Sequence, residues 1–126
     1  MKVFVAGATG AIGTQLVPRL VAAGHEVHAM THSERKQAAL RAMGATPVVA
    51  DALAADQVAE AVGTVKPDAI IHQLTAIGPL DVRHFDRSFA MTNRLRTEGT
   101  DHLLSAAQEV GVERFVAQSY FAMYAR

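Results

Sequence analysis

The stretch MKVFVAGATGAIG, residues 1–13, decides the fold of this chain. Residues 2–6 read as a short apolar strand, and glycines follow at 7, 10 and 13 before a segment with helical spacing. Gly7 permits a sharp turn, Gly10 leaves bare backbone, and Gly13 lets the helix lie close to the sheet. The loop contains no Lys or Arg, so helix N-terminal amides and the helix dipole would have to hold an anion. Between a strand and a helix, this spacing predicts a turn that binds the diphosphate of a dinucleotide.

Composition limits the classes of function that remain. A chain of 126 residues accommodates one α/β domain with little left for a separate substrate domain. Its 12 basic and 12 acidic side chains give a formal net charge of zero, which argues against binding to nucleic acid or an anionic membrane. No membrane-length apolar run or signal peptide is evident, so we expect a cytoplasmic protein. Because there is no cysteine, any electrons that move must be carried by a bound cofactor.

Strand and helix patterns alternate along the whole chain. We predict strands at 2–6, 26–31, 46–50, 69–72 and 114–118, and helices at 11–23, 33–43, 54–65 and 86–110. Pro18 predicts a bend in the first helix, and Ser33 is expected to cap the second. The expected core anchors of the last helix are Phe89, Leu95, Leu103 and Leu104. Right-handed crossovers turn this alternation into a doubly wound parallel α/β sheet in the order 3-2-1-4-5.

In that topology the ends of the first four strands open onto one crevice beside the glycine loop. We therefore predict that the dinucleotide contacts the loop and the residues that follow each strand. These are Gly7, Thr9, Gly10, Ala11, Ile12, Gly13, Thr31, His32, Arg35, Asp51, Ala52 and Leu74.

The residues after the second strand bear on the choice of cofactor. A site that prefers NAD usually presents an acidic residue to the ribose hydroxyls here, and that acid is missing. His32, Ser33 and Arg35 could instead surround a 2′-phosphate, so we favour NADP over NAD. The alternative is that these residues form only the solvated start of a helix.

Other chemistry-bearing residues carry weaker signals. Asp51 could accept a hydrogen bond from the adenine amino group, or it could be a plain helix-side carboxylate. We expect His72, at the end of an apolar strand, to be a hydrogen-bonded core residue rather than a base. The six histidines lack metal-ligand spacing, so we predict no metal site. Without a GxSxG motif, a hydrolase is rejected.

Taken in order, several motifs resemble the extended or atypical short-chain dehydrogenase/reductases, and the NAD-dependent epimerase/dehydratase group in particular. They are GATGAIG, the Asp51-Ala52-Leu53 turn, IIHQLTA, the Gly99-Thr100 pair and ERFVAQSYFAMYAR. The resemblance implies a Rossmann fold that binds NAD(P) and passes hydride to or from a carbonyl or alcohol carbon. It also implies a catalytic Ser or Thr after strand five, here Ser119, and a Tyr and Lys spaced YxxxK.

The chain departs from that catalytic pattern. No lysine follows Lys66, so neither Tyr120 nor Tyr124 has the lysine of a YxxxK pair. We therefore expect the N-terminal cofactor-binding part of a longer oxidoreductase or epimerase, without the substrate lobe, that binds cofactor without turnover. The alternative is a non-catalytic module that senses NAD(P) or binds a partner. We also expect a homodimer, formed through the exposed edge of strand five or through the long helix.

Overall fold

A computed structural model describes residues 1–74, 90 and 93–118. Within these residues the strands are β1 (Lys2–Ala6), β2 (Glu26–Thr31), β3 (Thr46–Val49), β4 (Ala69–His72) and β5 (Arg114–Ala117). The α-helices are α1 (Gly13–Ala22), α2 (Gln37–Ala42), α3 (Ala55–Val65) and α4 (Thr100–Val110). A 3₁₀ turn, Glu34–Lys36, precedes α2, and a π-helical turn, Leu95–Gly99, precedes α4.

The strands form one parallel sheet in the order β3-β2-β1-β4-β5, which confirms the predicted fold class and strand order. β1 is central because it is apolar on both faces, as a strand covered by helices on both sides must be. Phe4 lies opposite His28 of β2 and opposite Ile70 of β4.

Side chains of β1 alternate between two cores, one on each face of the sheet. Val3 and Val5 belong to the core that also contains Val17 of α1 and Leu40 of α2. Phe4 and Ala6 belong to the other core, which α3 and α4 cover. The two helical layers therefore hold the sheet rigid, and the ends of its strands are free to form a site.

The starts of the first two helices differ from the prediction. The first helix begins at Gly13 rather than at 11, and Pro18 lies inside it. Ser33 makes no capping bond through its side chain, so its predicted role is wrong. Its backbone N–H instead donates to Oγ1 of Thr31 at 3.1 Å, and this local bond favours a 3₁₀ turn before a shorter α2.

The helix predicted over 86–110 is confirmed over the described residues 93–110, which are helical without a break. Its described portion is the π-helical turn followed by α4, while Phe89 lies outside the described residues. Leu103 is fully buried, as predicted, but Leu104 is 39% exposed, so its predicted role as an anchor is wrong. Adjacent helical residues point about 100° apart, and only one of the two leucines can face α3. No helix in the described part is long and apolar enough to span a membrane.

Candidate functional site

A cavity of about 550 Å³ lies at the carboxyl ends of the first four strands, where the topology predicted a crevice. Eight of the predicted contact residues line it: Gly7, Thr9, Gly10, Thr31, His32, Asp51, Ala52 and Leu74. Ala11, Ile12, Gly13 and Arg35 are not part of this lining. Six lining residues were not predicted: Met30, Lys36, Ala50, Leu53, Gln73 and Leu95.

Gly7 fixes the glycine turn against the end of β4. Its φ of +88° belongs to the left-handed region, and an added Cβ would lie 2.3 Å from the carbonyl oxygen of Gln73. Gly13 is equally confined, because a Cβ there would lie 2.4 Å from the carbonyl oxygen of Gly7. Both positions therefore require glycine, and the backbone of the loop is held from both ends.

Gly10 differs, because its Cβ position faces open space. The nearest heavy atom is the carbonyl oxygen of Gly7 at 3.5 Å, an ordinary contact distance. Among the described residues, the amides of Ala11, Ile12 and Gly13 donate to no backbone carbonyl. Unpaired amides beside bare backbone at a helix N-terminus are the donors that a diphosphate requires. The loop therefore fits a dinucleotide.

At the end of β2, Thr31 is buried and His32 is exposed, and both line the cavity. The cation that joins them is Lys36, at the end of the 3₁₀ turn, rather than Arg35. Arg35 is exposed and lies outside the lining. The sequence predicted a positive charge at this end of the cavity. That charge is present, but Lys36 supplies it rather than Arg35.

The end of β3 is held by hydrogen bonds from two helical elements. Oδ1 of Asp51 accepts the amide N–H of Leu53 at 2.9 Å, and the amide of Asp51 donates to Oε1 of Gln57 at 2.9 Å. The carbonyl of Ala52 accepts a hydrogen bond from Nδ1 of His102 at 2.8 Å. One oxygen of Asp51 is therefore engaged by the turn, which leaves its predicted contact with adenine as a prediction.

The end of β4 contains the buried His72, whose Nδ1 accepts the amide N–H of Leu74 at 3.1 Å. Burial lowers its pKa below the usual 6.5, the positive charge of Arg96 lowers it further, and a hydrogen bond to the Leu95 backbone opposes the shift. This environment confirms a hydrogen-bonded core histidine. Next to it, Oε1 of Gln73 is buried without a hydrogen-bond partner among the described residues.

A second cavity, of about 690 Å³, lies between α3 and β3. It is larger, but its lining cation is already engaged: Lys2 Nζ lies 3.8 Å from Oε2 of Glu26, which also lies 3.1 Å from His28 Nε2, and Glu60 adds a second carboxylate. The hydrogen bond with His28 holds the pKa of Glu26 below its ordinary value. Gly7, Thr9 and Gly10 of the glycine loop line the first cavity, and Gly10 directly precedes the three unpaired amides, so this cavity is the candidate site.

Two further predictions concern the catalytic serine and a metal site. Ser119, the predicted catalytic serine, lies outside the described residues. In the part of the chain that the structure describes, no group of three or more His, Asp or Glu side chains could hold a metal ion.

The fold and this loop define a dinucleotide-binding domain, and comparison with known proteins agrees. Residues 7–126 match the profile of a family described as NAD(P)H-binding. The chain is 48% identical over 120 residues to a 3-diazoavenalumate denitrifying reductase from a Streptomyces species, covering 94% of this chain and 38% of that protein. It is 31% identical over 125 residues to a 4-hydroxy-2-methyl-3-oxo-4-farnesyl-3,4-dihydroquinoline-1-oxide ketoreductase of Stigmatella aurantiaca, covering 99% of this chain and 35% of the ketoreductase.

Solved structures show the same fold. UDP-glucose 4-epimerase from Brucella ovis, in complex with NAD, matches with a TM-score of 0.80 at 23% identity, over 99% of this chain and 37% of that one. Yeast methylglyoxal/isovaleraldehyde reductase, complexed with NADPH, matches with a TM-score of 0.80 at 22% identity, over 97% of this chain and 38% of the reductase.

This chain belongs to the NAD(P)H-binding family. The likeness to the solved epimerase and reductase structures confirms the predicted Rossmann fold. The chain spans 24–38% of the length of the curated relatives that it matches.

Proposed function

We propose that this chain binds a nicotinamide dinucleotide with the diphosphate on the amides of Ala11, Ile12 and Gly13. The adenosine half extends towards the ends of β2 and β3, and the nicotinamide half towards the end of β4. The observation that carries the proposal is the open backbone at Gly10, next to amides without acceptors and between two closely packed glycines.

Isothermal calorimetry with NAD and NADP tests this proposal. The Gly10→Ala variant should fold, because its Cβ meets nothing closer than 3.5 Å, yet the methyl group occupies space that the diphosphate needs. We expect binding at least about tenfold weaker. The matched control is Gly63→Ala in α3, where a Cβ has nothing within 4 Å, and it should bind as the parent chain does. Undiminished binding by Gly10→Ala would contradict the proposal.

The whole protein is proposed to be an NAD(P)-dependent reductase. Support comes from the names of two relatives, a denitrifying reductase at 48% identity and a ketoreductase at 31%. The 126 residues alone should bind cofactor without turnover, because no lysine follows Lys66 to lower the pKa of a tyrosine. Following nicotinamide absorbance with a panel of carbonyl compounds measures this. Steady oxidation of NADPH by the 126-residue chain would overturn it.

A preference for NADP over NAD is supported by the charge at the end of β2. Lys36 and the exposed His32 line the cavity where the adenosine ribose would lie, whereas Glu34, the carboxylate that follows this strand, is not part of the lining. A 2′-phosphate would gain charge-assisted hydrogen bonds there, whereas the plain ribose of NAD would not.

Two adjacent cations provide a matched test of that preference. Lys36→Ala should weaken NADP binding by about tenfold and leave NAD binding nearly unchanged, because one charge-assisted bond is lost. Arg35→Ala removes the same charge from a residue outside the lining, so it should leave both affinities nearly unchanged. Equal losses of NADP affinity in the two variants would contradict the preference for NADP. A parent chain that binds NAD at least as tightly as NADP would contradict it too.

A homodimer is proposed to form through the outer edge of β5. β5 is an edge strand, and its Val116 is 55% exposed, so a second copy could extend the sheet and cover this side chain. Light scattering should then give twice the chain mass of 13.4 kDa. Val116→Lys should restore the monomer. If Leu104→Lys on α4 gives the monomer instead, the dimer forms through the long helix. A monomeric parent chain would exclude both interfaces.

A further inference from the structure

The functional proposal leaves one buried titratable side chain without a role. His72 is 4% exposed, and its Nδ1 accepts the amide N–H of Leu74 at 3.1 Å. A neutral imidazole whose Nδ1 accepts must carry its proton on Nε2. The ring therefore holds the backbone just after β4, at Leu74.

Leu74, the partner of His72, belongs to the wall of the dinucleotide cavity. Leu74 and Leu95 line it, and Cδ1 of Leu74 lies 3.6 Å from the Cβ position of Gly99 in the same π-helical turn. Between His72 and Leu74, the carbonyl of Gln73 lies against Gly7. A shift of the backbone at Leu74 would therefore move both a cavity wall and the support of the glycine turn.

We propose that His72 is a positioning residue for the dinucleotide site: its neutral imidazole accepts the amide N–H of Leu74 and so fixes the wall of the cavity. The proposal rests on the proposed function, because the cavity wall matters only if a dinucleotide occupies it.

Protonation of the ring should therefore weaken binding. A proton on Nδ1 would face the amide N–H of Leu74, and two donors cannot share a hydrogen bond. Burial and Arg96, the charged group of the described residues that acts on the ring, both favour the neutral form. The neighbours of His72 on β1 and β5 are Ala6 and Ala117, which do not titrate.

The test is the affinity for NAD, measured by calorimetry from about pH 8 down to about pH 5. NAD is the probe because the 2′-phosphate of NADP titrates in the same range. We expect a constant Kd above about pH 7, and below the pKa of His72 a Kd that rises by up to about tenfold per pH unit. His72→Asn keeps an acceptor for Leu74 that does not titrate. Its Kd should stay within about threefold of the parent value and remain flat with pH.

Three further measurements separate this role from others. His32→Asn, which removes the exposed histidine of the cavity, should keep the pH slope. His72→Ala removes the acceptor, so its binding should be about tenfold weaker at every pH at which it folds. Nitrogen-15 spectra of the free chain should show the Nε2–H tautomer of His72.

The outcomes distinguish this proposal from the proposed function. A slope that persists in His72→Asn, a slope that vanishes in His32→Asn, or an Nδ1–H tautomer would overturn the role of His72. Binding of NAD that is flat with pH in the parent chain would overturn that role alone. Absence of NAD binding at about pH 8 would contradict the proposed function itself, and the role of His72 with it.

Discussion

Single glycines in the first loop have different physical tasks. Gly7 combines a left-handed φ with a carbonyl oxygen 2.3 Å from its Cβ position, whereas Gly10 has free space. The glycine spacing alone predicts the loop, but it does not tell which glycine the fold needs and which one the ligand needs. That division comes from the packing of Gln73 against Gly7, which joins residues far apart in sequence.

Gly7→Ala should cost much more stability than Gly24→Ala. Gly24 has a similar φ of +91°, but a Cβ there has nothing within 4 Å, so only the conformational strain of about 1–2 kcal/mol applies. At Gly7 the clash adds to this strain, and we expect at least about 2 kcal/mol more. Urea denaturation followed by circular dichroism measures both free energies of unfolding. Equal losses of stability in the two variants would mean that Gly7 is not packed against the backbone that follows β4.

His72 should also make stability depend on pH. Its pKa is lowered in the folded chain, so the unfolded chain binds more protons, and stability rises with pH in the window between the two pKa values. The free energy of unfolding should therefore fall as the pH drops below the usual value of 6.5, by at most about 1.4 kcal/mol per pH unit. Denaturation of the parent chain and of His72→Asn at several pH values isolates this contribution. Parallel profiles would contradict it.

Among the helices, α4 allows a comparison of two adjacent leucines. Leu103 is fully buried in the core that contains Val58 and Val62 of α3, while Leu104 is 39% exposed. Leu103→Ala should lower the free energy of unfolding by about 2–5 kcal/mol, because it leaves a cavity. Leu104→Ala should cost less than about 1 kcal/mol. Thermal and urea denaturation measure both stability losses. A larger loss for Leu104→Ala than for Leu103→Ala would contradict this orientation of the helix.

The periodicity of the sequence predicted which segments are helices and which are strands, but it did not predict the 3₁₀ turn or the π-helical turn. The bounds of β1, β2 and β4 agree with the sequence prediction, because β1 and β4 are apolar runs, β2 alternates between polar and apolar residues, and turn residues bound them. The 3₁₀ turn at Glu34–Lys36 follows the hydrogen bond between the Ser33 amide and the Thr31 hydroxyl, and Gly99 of the π-helical turn lies against Leu74, with its Cβ position 3.6 Å from Cδ1. Periodicity does not report such contacts, which compete with regular helix locally.

At the scale of the whole molecule, strand order explains why most of the site could be predicted. Parallel strands 3-2-1-4 place their carboxyl ends together, so the residues that follow them meet in one cavity. Lys36 was missed as a contact because the 3₁₀ turn, rather than helical phase, decides which cation faces the cavity. Leu95 was missed because 22 residues, 73–94, separate it from the end of β4, and sequence spacing does not predict that it lines the cavity.

The central claim is that backbone amides at the start of α1 hold a dinucleotide diphosphate. The most direct measurement is a titration of the nitrogen-15-labelled chain with NAD, followed by amide chemical shifts. The account predicts the largest shifts at Ala11, Ile12 and Gly13, with the amide of Gly63 in α3 unchanged. Unchanged loop amides at saturating NAD, or shifts confined to the cavity between α3 and β3, would contradict it.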